Sequence, residues 1–161
     1  MMKRATRTLG LCVLLFALCS SACAPKPGTP GGTSDPFLGA SKAADDIAAS
    51  ITLLREAAHS LEVQKLITPQ EALKFIDGLI VLQSQDVKFV ADIRTVKAGG
   101  GTVTGLLVPA LERLRAAVSD LQSAGVLGIK NEKAKATFQT ALGTIGVSIA
   151  TIQAVLEAHA K

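Results

Sequence analysis

Two histidines, three cysteines and thirteen carboxylates are the groups in this 161-residue chain with which chemistry could be done, and their spacing argues against catalysis. A metal site wants three or four converging ligands. His59 falls one position past Ala58 in an apolar seam, and His159 continues the seam of the last helical segment, so each reads as solitary. Asp45 and Asp46 are adjacent, which on a helix points them about 100° apart. They read as first-turn acids that complement the helix dipole. Asp86 and Asp92 are six apart and read as lying on either side of an apolar face, while Glu112, Arg113 and Arg115 read as a solvated stripe. Gly99-Gly100-Gly101 before a helix would suit a phosphate cradle, because helix N-termini bind anions. A P-loop also needs a preceding strand and a Lys-Ser/Thr pair, and neither is here. The glycines therefore read as a flexible connector. No residue is assigned a catalytic, metal-binding or cofactor-binding role, and the expectation is a protein that is not an enzyme.

The cysteines point elsewhere. All three, Cys12, Cys19 and Cys23, lie near the start, and the 138 residues after Cys23 have none. That body can hold no disulfide, thiolate metal site or cysteine nucleophile, whatever its redox compartment. Residues 1–10 carry Lys3, Arg4 and Arg7 without an acid, residues 11–18 are an almost unbroken apolar run, and Ser20, Ser21 and Ala22 are small. This is the pattern of a secretory signal peptide, predicted over 1–22, and its apolar run is well short of the roughly 20 residues of a permanent span.

Leu18-Cys19-Ser20-Ser21-Ala22-Cys23 resembles the lipobox of bacterial lipoproteins. The resemblance covers residues 1–23. It implies that Cys23 receives a diacylglycerol on its sulfur, that the leader is cut before it, and that the new amino terminus is acylated with a chain such as palmitate. In Gram-negative lipoproteins an Asp after that cysteine signals inner-membrane retention. Ala24 stands there instead, so the expected location is the outer membrane, facing the periplasm. Ser20 and Ala22 would also suit ordinary signal peptidase, which leaves secretion without lipid, or an uncleaved anchor, as competing readings.

Removing Lys3, Arg4 and Arg7 with the leader leaves 14 basic residues against 13 acidic ones, so the formal charge of +4 falls to +1. Nucleic acid loses its electrostatic rationale as a partner. Residues 24–36 hold four prolines and three glycines and no large apolar side chain, which makes residues 23–36 a lipidated cysteine and its tether.

Residues 37–161 must be the folded domain. The chain is 48% hydrophobic with no Trp or Tyr, and beyond residue 37 its apolar residues fall at helical steps. Ile47, Ile51, Leu54, Ala58 and Leu61 advance by 4, 3, 4 and 3. That helix should stop near Ile67, because Thr68-Pro69-Gln70-Glu71 reads as an N-cap, a first-position proline and a capping-box glutamate. The second segment carries two seams, Leu73, Ile76, Ile80, Val87, Val90 and Leu79, Leu82, Phe89, Ile93, Val96, a face wide enough for two neighbours. Leu107, Leu111, Leu114, Val118 and Leu121 make a third, with Pro109 in its first turn or at a kink. Gly125 and Gly128 mark its end. Asn131 should cap the fourth, with the seam Phe138, Leu142, Ile145, Ile149, Ile152 and Leu156. The predicted fold is all-α, an antiparallel four-helix bundle behind a cleaved leader and a Pro/Gly linker.

Leu54-Arg55, Ala57 and Leu61 recur sixty residues on as Leu114-Arg115, Ala117 and Leu121, and Phe75, Leu79 and Leu82 recur at an offset of 63 as Phe138, Leu142 and Ile145. Two duplicated helical hairpins, or helical periodicity alone, would produce this echo. Residues 136–156 carry no charge over 21 positions, the length of a bilayer span. Their Thr, Ser and Gln residues lie largely off the seam and argue for a soluble helix, with Gly143 and Gly146 placed where helices approach closely. The sequence thus reads as an envelope lipoprotein held to the membrane by its N-terminal lipid. It would bind an unidentified envelope protein or brace the envelope, without metal, cofactor or nucleic acid. A pilotin-like escort role suits that size and place. The alternative is a membrane-active protein whose 136–156 helix inserts.

Overall fold

Proline and capping side chains decide where the helices begin. A computed structural model describes residues 35–126 and 128–159, the last without its side chain. The leader expected over residues 1–22, Cys23 and residues 24–34 lie outside the described residues. Four long helices run in order, α1 (Pro36–Val63), α2 (Pro69–Lys97), α3 (Val108–Asp120) and α4 (Glu132–His159), and the described residues contain no strand. The protein is all-α, as its periodicity requires.

α1 starts earlier than the composition implies. Oδ1 of Asp35 accepts the backbone N–H of Phe37 at 3.0 Å, and Pro36 takes the first helical position, where its missing N–H costs nothing. Asp35 and Pro36, read as the end of the tether, are thus the cap of α1. Asp45 and Asp46 consequently lie in its third turn and not its first, too deep to complement the dipole. The helix ends at Val63, short of Ile67. Gln64 is its C-cap, Lys65 adopts φ 58°, and the N–H groups of Lys65 and Leu66 reach back to the carbonyls of Glu62 and Leu61. This is a Schellman motif with a lysine at the left-handed position where glycine is usual.

The capping box of α2 forms as expected: Oγ1 of Thr68 accepts the N–H of Glu71 at 3.2 Å, and Oε2 of Glu71 accepts the N–H of Thr68 at 2.6 Å. Its other end corrects the reading of the triple glycine as a slack connector. Gly99 has φ +79°, and the N–H groups of Gly99 and Gly100 bond to the carbonyls of Val96 and Thr95 at 3.0 Å each, a second Schellman motif. Thr102 then caps the following turn by accepting the N–H of Gly105 at 3.0 Å. Pro109 sits in the first turn of α3, and residues Val103–Leu107 before it wind as a π turn in which Val108 donates to Val103. The pyrrolidine ring would clash with the carbonyl four residues back, and the widened turn relieves that. A second π turn, Leu121–Val126, follows α3 and encloses the buried Gly125. Oδ1 of Asn131 accepts the N–H groups of Lys133 and Ala134 at 3.1 Å each, capping α4 as its position implied.

Each seam then finds the core. α1 packs on α2 and α4, and α3 packs on the same two. Ile47, Ile51, Leu54 and Ala58 of α1, Leu107 through Leu121 of the third seam and all six seam residues of α4 are buried in one cluster with Phe75 and Phe89. Burial of each large aliphatic side chain stabilises the fold by roughly 1.5–3 kcal/mol. The two seams of α2 are used unequally, Ile76 and Val90 of the first being only half-buried against the core. Leu79, Leu82, Phe89 and Ile93 are buried, whereas Leu73, Ile80 and Val87 remain 62%, 51% and 62% exposed, so the wide face has no second neighbour on that side among the described residues. α2 nevertheless packs on both α1 and α3, the two neighbours that its wide apolar face led one to expect.

The glycines of α4 also differ from expectation. A β-carbon at Gly143 or Gly146 would meet nothing within 4 Å, so neither marks a close approach. The tight place is Gly78 of α2, where an added β-carbon would collide with Cδ1 of Leu121.

Candidate functional site

The core seam of α2 carries a carboxyl group. Phe75, Leu79, Leu82, Asp86, Phe89 and Ile93 step by 4, 3, 4, 3 and 4, which puts Asp86 on the buried face with only 3% of its surface exposed. Its Oδ1 is buried and meets no protein donor. Removing a carboxylate from water without a donor favours the neutral acid. Burial accordingly pushes the Asp86 carboxyl up to about 6, and the like charge of Asp45 on α1 pushes the same way. This corrects the reading of Asp86 as lying off the apolar face. The signal was present in the sequence as the seven-residue gap between Leu82 and Phe89, which a heptad seam must fill.

Asp92 and Arg113 also leave the places expected of them. Nη2 of Arg113 lies 3.3 Å from Oδ2 of Asp92, tying α3 to α2, with the aspartate side chain 18% exposed. Arg115 and Glu112 remain exposed, and Arg115 donates to Oε1 of Gln153 on α4 at 2.7 Å. Arg55 makes the matching bond to Gln83 on α2, also at 2.7 Å. His59 is solvated beside Glu62 at 3.9 Å. The side chain of His159 and all of Cys23 lie outside the described residues.

One end of the molecule is organised around Glu71. Besides closing the capping box, its Oε1 accepts the N–H of Lys130 at 2.9 Å, so one carboxylate joins the α1–α2 turn to the approach of α4. The Thr68 N–H, the Thr68 hydroxyl and then the Lys130 N–H hold Glu71 below the usual carboxylate range. An open depression at this end is lined by Lys65, Leu66, Ile67, Pro69 and Asn131 among others. At the opposite end Nζ of Lys97 meets Oδ2 of Asp35 at 3.2 Å.

These groups brace and cap helices. The arrangement with the chemistry of a binding surface is the line of Leu73, Ile80 and Val87 along α2, because apolar side chains in register on a helix exterior suit another helix. Sequence reasoning named all three and assigned them to an internal neighbour. Comparison with family models, curated proteins and solved structures finds no match to this chain.

Proposed function

We propose that this chain is a lipid-anchored lipoprotein of the bacterial cell envelope, cut before Cys23, with residues 24–34 as its tether. Its four helices form an antiparallel four-helix bundle that binds an envelope protein or braces the envelope, without catalysis. The outer membrane, facing the periplasm, is the assigned location, on the strength of Ala24 following the cysteine. The anchor rests on the leader and on Cys23 as the sole cysteine outside it. Support for the bundle comes from the cyclic packing of α1, α2, α3 and α4, and from the Asp35–Lys97 pair, which sets the start of α1 beside the end of α2. The binding role is carried by one observation, the exposed line Leu73, Ile80 and Val87.

Growth with labelled palmitate tests the anchor. Wild type should take up label, and Cys23→Ala should not; equal labelling of the two sinks the reading.

A second reading keeps α4 as a membrane-inserting helix. The segment Glu132–Ala158 is long and apolar enough to cross a bilayer, with a mean hydropathy of 1.5 in its most apolar window. Against it, Phe138, Leu142, Ile145, Ile149, Ile152 and Leu156 are buried within the protein. The opposite face bears Thr137, Thr140, Thr144 and Thr151, each hydroxyl bonded to a carbonyl four residues back. A Cys23→Ser chain lacking residues 1–22 separates the two readings, since a self-contained bundle stays in water and an inserting one moves into lipid vesicles.

A further inference from the structure

The two ends of the helices differ in charge. At one, the α1–α2 turn carries Lys65 between Glu62 and Glu71, and the approach to α4 carries Lys130, with Glu132 and Lys133 in the turn after it. At the other, α2 passes into α3 through residues 98–111, fourteen positions without a charge, and residues 36–41 of α1 have none either. The pair Asp35–Lys97 sets these two segments at the same end and neutralises its own charges at 3.2 Å. The next charges along α1, α2 and α3 are Lys42, Arg94 and Glu112. α4 starts at the charged end, where the Lys130 N–H meets Glu71, and carries Glu157 as its last described charge.

The uncharged end has a fixed shape. Gly99 and Gly100 close the end of α2, Thr102 caps the following turn, and the side chain of Leu106 lies over Gly101, where a β-carbon would collide with it. Leu38 is 68% exposed, Val103, Leu106 and Val108 are half-buried, and Thr102 and Thr104 are exposed among them. Aliphatic and hydroxyl groups without a charge cost little to move out of water, and the apolar ones gain by it. What this end meets follows from the chain that precedes it. Twelve residues lead from Cys23 to Asp35, a reach of about 40 Å fully stretched and about 20 Å for a coil of that length. The 28 residues of α1 then run about 42 Å away from that point. A membrane holding Cys23 is therefore within the coil's ordinary reach of the uncharged end and beyond it for the charged one. So short a tether also keeps the near end at an effective concentration on the order of millimolar, which populates a contact too weak to form from solution.

We infer that residues 98–108, with Leu38 beside them, are a membrane-contact site that settles into the headgroup–acyl boundary of the bilayer holding the anchor. The inference rests on the anchor at Cys23 proposed above. Contact is apolar and does not use lipid charge, in the manner of other interfacial segments that bury their apolar groups roughly 5–10 Å deep. The end bearing Lys65 and Lys130 then faces away from the membrane.

The full chain, expressed with its leader and reconstituted from detergent into phosphatidylcholine vesicles, tests the anchor and the contact separately. Flotation with the vesicles reads the anchor. An environment-sensitive fluorophore on an introduced cysteine reads the contact, after subtraction of the labelling found without that cysteine. With the fluorophore at Thr104→Cys, emission should shift to the blue and be quenched by nitroxide-bearing lipids, and high salt should reverse neither effect. At Lys133→Cys, in the first turn of α4, neither should occur. Gly39→Cys, in the first turn of α1 where an added side chain meets nothing within 4 Å, should show the shift as well. Adding Thr104→Asp, a charge at an exposed position where folding is not at stake, should abolish the shift at Gly39→Cys and leave flotation intact. A chain that floats with its Thr104→Cys fluorophore in water, or with equal quenching at Thr104→Cys and Lys133→Cys, overturns the contact and leaves the anchor standing. A chain that does not float overturns the anchor, and the contact falls with it.

Discussion

Phe75 of α2 and Phe138 of α4 stack across the core with ring centroids 4.0 Å apart and planes inclined at 28°. Both rings are fully buried. They are also the pair that the sequence echo relates at an offset of 63, so a residue and its counterpart touch. A duplicated hairpin with a twofold axis through the core would set counterparts on that axis in contact. The Arg55–Gln83 and Arg115–Gln153 bonds repeat in kind, but Gln153 lies seven residues beyond the position that the offset of 63 assigns to Gln83. The Arg115–Gln153 bond therefore lies two turns of α4 beyond where the echo would place it.

Truncating either ring should be costly. Phe75→Ala and Phe138→Ala should each destabilise the protein by roughly 3–5 kcal/mol in chemical denaturation, because a buried aromatic leaves a large cavity. Their double-mutant cycle should return a coupling of about 0.5–1.5 kcal/mol beyond additivity. Strict additivity would contradict the stack.

Asp86 makes a prediction about pH. Its folded carboxyl titrates near 6, against an ordinary value of 3.8, so between those values the folded state holds more protons than the unfolded one. Stability from this group is then fully present below about pH 4, declines as pH rises to about 6, and is flat beyond. Asp86→Asn should remove that decline and be more stable than wild type at pH 7 by roughly 2 kcal/mol. Glu71 and Asp35, whose carboxyls are held low, act in the opposite direction, losing their contribution as pH falls below the usual carboxylate range. The difference between wild type and Asp86→Asn cancels them. Parallel stability curves for the two proteins from pH 4 to 7 would contradict the assignment.

The two Schellman motifs carry opposite residues at the same position. Gly99→Ala places a β-carbon at φ +79° and should destabilise by about 1 kcal/mol, while Lys65→Gly relieves φ 58° and should stabilise by a similar amount. Thermal melts of both variants, read as shifts of opposite sign, check this.

Helical glycines divide by their surroundings. Gly143→Ala and Gly146→Ala meet open space and should each stabilise α4 by roughly 0.5–1 kcal/mol. Gly78→Ala should destabilise despite its gain in helix propensity, because its methyl group would displace the buried Leu121. Were all three to shift the melting temperature in the same direction, the packing at Gly78 would be wrong.

What the sequence determined by itself was local. Repeats of three and four apolar residues placed four helices, Thr68-Pro69-Gln70-Glu71 fixed the start of α2, and Asn131 fixed that of α4, because caps and periodicity act within a turn or two of chain. Apolar patterning also named the large seam residues of α3 and α4 that the core buries, and passed over Ala110, Ala117 and Ala134, which are buried with them. Tertiary structure decided what depends on the other side of a contact. Leu79 and Leu73 of α2 are equally apolar, yet α1 and α3 cover the first and leave the second to solvent, and no count along α2 distinguishes them. Asp86 is buried because the seam on both sides of it is buried, and its carboxyl is pushed up to about 6 because the core desolvates it and the like charge of Asp45 lies nearby. Gly78 is tight and Gly143 open for the same reason, since Leu121 faces one and nothing within 4 Å the other. Periodicity tells a helix which of its faces is apolar, and only the neighbours that pack against it determine which apolar face is the inside.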